Sequence, residues 1–153
     1  MADTDLNAAT LIVTITEALA IGHDTTEDAR DFAQTCTHTF TGILNTSKRI
    51  FKLPNTNLNK LISFGTTTAD GVFVRADVRY IRVTNLDGTA ALQVGLDDGA
   101  SDAAYTSVAA NSSIMYTGVT CEGGNGGTTL DNATALKVKG VADHQLEVFI
   151  ASV

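Results

Sequence analysis

Apolar and polar residues alternate along this chain in short runs, most regularly from Val72 to Leu96, VFVRADVRYIRVTNLDGTAALQVGL. Side chains switch faces at each step of a strand, so Val72, Val74, Ala76, Val78 and Tyr80 fall on one side and Phe73, Arg75, Asp77 and Arg79 on the other. Leu92, Val94 and Leu96 repeat the alternation, and Asn85-Leu86-Asp87-Gly88 between the two runs supplies residue types that tolerate positive φ. This predicts a long antiparallel hairpin. Near Tyr80 the apolar side passes to Ile81 and Val83, which predicts a bulge or a strand buried on both faces.

The same period recurs elsewhere. Thr10 to Ile21 is β-branched enough for a strand, while GHDTTEDARDF after it reads as a loop with at most one helical turn near Thr25 or Thr26. In Gln34 to Ile43, Cys36, His38 and Phe40 point one way and Thr35, Thr37, Thr39 and Thr41 the other, a threonine row of the kind found on the wet face of a sheet. Asn45-Thr46-Ser47 reads as a turn into Lys48 to Leu53, which Pro54, the single proline, closes. Further strands are expected at Lys60 to Phe64, Tyr105 to Ala110, Ser113 to Thr117, Ala133 to Lys139 and Gln145 to Val153. CEGGNGGTTLDN, from Cys121 to Asn132, reads as a glycine-rich loop.

About nine or ten short strands with no helical period predict an all-β protein, an antiparallel β-sandwich or jelly roll. The size prior makes residues 10–153 one domain behind a polar N-terminal arm, residues 1–9. Two cysteines, Cys36 and Cys121, do not make a disulfide scaffold, and the start MADTDLN lacks the basic and apolar regions of a secretory signal. Synthesis in a cytosol is the expectation, and no apolar run is long enough for a membrane helix.

Charge changes the picture more than composition does. The formal net charge is −7, which argues against a general nucleic-acid binder. From Met1 to Asp31 there are seven acids and one base, Arg30, whereas Lys48, Arg49, Lys52, Lys60, Arg75, Arg79 and Arg82 face only Asp70 and Asp77 between Lys48 and Arg82. Such segregation suits attraction between copies, or to a larger assembly, through complementary patches; the plainer reading is two solvated faces. The seven bases are therefore the candidate interface.

Candidate chemistry is sparse. Cys36 and His38, with His23 or His144, are possible metal ligands, but Phe40 continues their face and a buried Cys, His and Phe row is the simpler reading. Asp97, Asp98 and Asp102 do not match a calcium loop, no GxSxG elbow is present, and GGNGG lacks the following helix of a phosphate loop. Three triplets, at Asn45, Asn111 and Asn132, match the glycosylation pattern without a signal to give it meaning. No catalytic residue, metal or cofactor is expected.

The segments THTFTGILNTSKRIFKL, RYIRVTNLDGTAALQVGL, LDNATALKVKG and HQLEVFIASV resemble small virion proteins of tailed bacteriophages, over most of the chain from about Thr10 onward. These motifs are structural. The resemblance implies a β-sandwich in a phage particle, either a capsid decoration or cement protein on the outer shell or a tail or fibre component. By analogy with jelly-roll cement proteins it implies a homo-oligomer, a trimer, partnered with the major capsid protein and located on the virion. In the fibre alternative, the loops Asp97 to Asp102, with Asp97, Asp98 and Asp102, and Glu122 to Gly127 form a receptor or carbohydrate site, with Tyr105 or Tyr116 stacking on a sugar.

Overall fold

The computed structural model describes residues 8–19, 32–67, 69, 71–99, 105–117 and 133–153. They form eleven strands: β1 (Ala9–Leu19), β2 (Phe32–Ile43), β3 (Asn45–Lys52), β4 (Asn59–Gly65), β5 (Val72–Val74), β6 (Val78–Asn85), β7 (Leu92–Asp97), β8 (Tyr105–Val108), β9 (Ser113–Thr117), β10 (Ala135–Lys139) and β11 (Gln145–Ser152). A 3-10 turn, Arg75–Asp77, separates β5 from β6. The chain is thus an all-β sandwich with an additional ribbon. It divides into two compact units, Met1–Ile43 and Leu44–Val153. That division comes later in the chain than the lead-in of residues 1–9.

The first unit contains the two-stranded antiparallel ribbon β1–β2. Leu11 pairs with Phe40, Val13 with His38 and Ile15 with Cys36, so these share one face; Ile12, Thr14 and Thr16 oppose Thr39, Thr37 and Thr35 on the other. The threonine row is solvent-exposed, as its alternation predicts. The expected buried Cys, His and Phe row is corrected: Phe40 is buried, but His38 is only half-buried and Cys36 is exposed.

The second unit is the sandwich. One sheet runs β5-β4-β10-β7-β8 and the other β3-β11-β6-β9, all neighbours antiparallel except β4 and β5. Alternation along each strand sends one side chain in two to the common core: Ile62, Leu92, Val94, Leu136 and Val138 from the first sheet meet Ile81, Val83, Leu146, Val148 and Ile150 from the second, each 5% exposed or less. Each such side chain contributes roughly 1.5–3 kcal/mol by leaving water.

The expected Val72–Leu96 hairpin does not form, because β6 and β7 belong to opposite sheets. Residues 86–91 arch from one sheet to the other, and none of Asn85, Asp87 and Gly88 takes the positive φ of a tight hairpin turn. The alternation is satisfied all the same, since each strand turns its apolar side to the core from its own sheet. Asn85 fixes the arch. Its Oδ1 accepts the Asp87 N–H at 3.0 Å, while its Nδ2 faces the carbonyls of Ala90, Val108 and Ala109 at 2.9, 3.2 and 3.0 Å. Those three acceptors set the amide orientation, so the buried His144 donates from Nε2 to Oδ1 at 2.7 Å. The Asp87 carboxylate accepts from the Thr89 and Ala90 N–H groups and from the Thr89 hydroxyl, which together pull its pKa down to about 2.

The switch at Tyr80 follows both sequence expectations. The β6–β11 register slips between Val78 and Tyr80, leaving Arg79 as the extra residue, and Tyr80 and Ile81 are both buried. Ala76, expected on one strand face with Val74 and Val78, lies exposed in the 3-10 turn instead. Asn45–Ser47, expected as a turn, pairs with Ile150–Ser152 and begins β3.

Candidate functional site

Among the described residues β3 pairs only with β11, so it forms an open edge of the four-stranded sheet. Thr46, Lys48, Ile50 and Lys52 alternate onto the sheet's outer face, opposite Ala151, Phe149, Glu147 and Gln145 of β11. β6 continues this face with Tyr80, Arg82 and Thr84. Strand β3 carries three bases and no acid. Arg49 is exposed beside Ile50, which is 65% exposed and breaks the polar surface with an unpaired apolar side chain.

Glu147 organises part of the charge. Its carboxylate lies 3.1 Å from Lys48 Nζ and 2.8 Å from Arg82 Nη2. Burial pushes Glu147 upward, but the two cations outweigh it and hold its pKa below the usual carboxylate range. The Arg82 guanidinium also sits 5.9 Å from the Phe149 ring centre, and Phe149 meets Tyr80 edge to face at 5.9 Å. Burial raises Tyr80 despite the nearby Arg82 charge. Lys52 reaches Asp143 at 2.9 Å, with both side chains largely in water.

The seven candidate bases do not form one patch. Lys48, Arg49 and Lys52 lie on β3 and Arg82 on β6 of the same sheet, whereas Lys60 lies on β4 of the other. Arg75 belongs to the 3-10 turn and Arg79 to the bulge, where its Nη1 donates to the Ala76 carbonyl at 2.6 Å. A groove of about 350 Å³ is bordered by only one of these bases, with Ser47 and Arg49 of β3 on one side and Val72, Phe73 and Val74 of β5 on the other. Asp77 also borders it. The basic edge therefore adjoins a largely polar groove whose apolar side is Val72, Phe73 and Val74.

The alternative loop site does not assemble from the described residues. Asp97 is 3% exposed and ion-paired with Lys137; that contact and the Gly99 N–H lower its pKa. Asp98 is half-buried, and Asp102 lies outside the described residues. Tyr105 is on β8 and Tyr116 on β9, in opposite sheets, with Tyr116 packed against the core and raised in pKa by burial. The two rings do not converge on one ligand.

On the ribbon, Cys36 Sγ lies 3.4 Å from His38 Nε2, but the described residues contain no group of three or more metal-ligating side chains. His144 is committed to Asn85 in the sandwich; His23, Cys121 and the glycine-rich loop lie outside the described residues. No helix among the described residues is long and apolar enough to cross a membrane.

Sequence reasoning missed Ile50, Glu147 and the β5 side of the groove. The signal for Ile50 was present, since KRIFKL puts it on the same face as Lys48 and Lys52. Glu147 and the Val72–Val74 crevice depend on strand order, which no local pattern encodes. No family model matches the chain, and neither the curated proteins nor the solved structures yield a match.

Proposed function

We propose that this protein is a non-enzymatic structural component of a tailed-phage particle, a decoration or cement protein that binds the outer capsid shell as an oligomer and stabilises it. The sequence resemblance supplies the particle. The observation that carries the contact role is the open β3 edge, where Lys48, Arg49, Ile50 and Lys52 are exposed and Arg49 borders a groove with Val72, Phe73 and Val74 on its far side. Open edges invite pairing with another chain, and basic side chains on an edge discourage indiscriminate partners while favouring an acidic one.

The test is electron microscopy of particles made with and without this gene product. Density lost in a regular array over the shell supports the decoration role, and density lost only at the tail transfers the protein to the adhesion apparatus. On shells, Arg75→Glu or Arg79→Glu lowers occupancy if the turn between β5 and β6 contacts the shell. Undiminished occupancy removes that turn from the contact surface.

A further inference from the structure

Two structural elements have unfilled requirements. In the β1–β2 ribbon every backbone partner comes from the other strand, so among the described residues each strand keeps one edge unpaired. A lone two-stranded ribbon is marginal in water and gains stability from a third strand or a covering layer. The β3 edge, eight residues long, offers such a strand, able to pair along about 26 Å at 3.3 Å per residue.

Charge selects the match. Residues 1–43 hold seven acids against Arg30, and so carry six of the chain's seven net negative charges. Within the ribbon strands Glu17, exposed on β1, is the only carboxylate, and neither strand contains Lys or Arg. Strand β3 has Lys48, Arg49 and Lys52 and no acid. The apolar sides also suit each other on that face: half-buried Leu11, Val13 and Ile15, on the same side of β1 as Glu17, match the Val72–Val74 side of the groove that Arg49 borders.

We propose that the β1–β2 ribbon of one copy adds alongside the open β3 edge of a second copy, Glu17 of β1 against the basic edge, so that exchanged arms link the oligomer. Because the contact is head to tail, a closed ring of copies satisfies every arm and every edge. The proposal deepens the decoration reading by naming the surface that joins copies, and it rests on the oligomer clause of that reading alone.

The experiment uses the full chain in solution without capsids, so its outcome is separable from shell occupancy. Molar mass by light scattering and sedimentation is measured for the wild type, Arg49→Glu, Glu17→Arg, the doubly substituted chain and an equimolar mixture of the two single variants. Circular dichroism checks that each variant keeps its sheet, and Arg49→Gln serves if the reversal impairs folding. Assembly is expected at a multiple of 16.0 kDa in the wild type. Each single reversal weakens it about tenfold or more, corresponding to loss of a favourable charge contact and gain of a like-charge one. The mixture assembles better than either variant alone, because a basic Glu17→Arg arm meets an acidic Arg49→Glu edge on another chain. A wild type that stays monomeric at sub-millimolar concentration overturns the proposal. So does assembly unmoved by either reversal, or recovery in the doubly substituted chain with none in the mixture.

Discussion

The ribbon and the sandwich follow the same alternating pattern and bury it to different depths. Val148 in β11 is 1% exposed, whereas Val13 on the apolar face of β1 is half-buried and Ile12 on its threonine face is 62% exposed. The difference lies in what faces each strand. Every inward residue of the sandwich meets a second sheet, while the outer residues of the ribbon have only their cross-strand neighbours. Alternation therefore reports an extended strand with two unlike faces. Whether the apolar face acquires a partner layer is settled by strand order, and the stability of this chain resides in the unit that has two layers.

The largest effect is expected where the arch between the sheets is tied. Asn85→Leu leaves the His144 Nε2–H, the Asp87 N–H and several carbonyls without their partner, each at the desolvation cost of a buried polar group. A loss of about 4 kcal/mol in denaturant unfolding is expected. A loss under about 1 kcal/mol would mean that the network is replaceable and that packing alone holds the arch. Next comes Leu136→Ala on β10, fully buried in the core, at about 3 kcal/mol. Neither substitution should alter the ribbon's amide exchange until the sandwich unfolds.

These residues also mark how far the sequence could be read. Strand positions followed from alternation because local chemistry sets it: the threonine row, the Pro54 stop and the split around Asn111, which takes φ 56°, were all legible. The hairpin at Asn85–Gly88 was misread because a turn-rich tetrapeptide fits an arch between sheets as well as a hairpin within one. What distinguishes them is a buried asparagine whose partners, Val108 and His144, lie far along the chain. The candidate interface was legible in part. Three of its seven bases share the β3 edge, but sequence proximity could not show that Lys60 would lie in the other sheet.

Acid should weaken the sandwich through named carboxylates. Asp87, Asp97 and Glu147 all have folded pKa values below their ordinary ones. A depressed carboxylate contributes stability that is fully present above its unfolded pKa, near 4, and is lost as pH falls toward the folded value. Unfolding free energy is thus expected to be level from about pH 7 to 5 and to fall below about pH 4. Glu147→Gln should cost about 1–2 kcal/mol at neutral pH, since Arg82 is only partly exposed and loses its ionic partner, and should flatten part of the acid slope. An unchanged slope would assign the acid sensitivity to Asp87 and Asp97.

The smallest effect tests the ribbon itself. Ile12 lies opposite Thr39 on the exposed face, so Ile12→Thr keeps β-branching, extends the threonine row and removes little buried area. Unfolding free energy should change by less than about 0.5 kcal/mol. Val13→Thr, one residue on, places a hydroxyl on the half-buried face between Leu11 and Ile15. In dilute monomer the two variants should exchange their β1 amides alike, since a two-stranded ribbon derives little from either face. At concentrations where copies assemble, only Val13→Thr should lose β1 protection. Equal protection of both variants under assembly would mean that the apolar face of the ribbon is not the face that another chain covers.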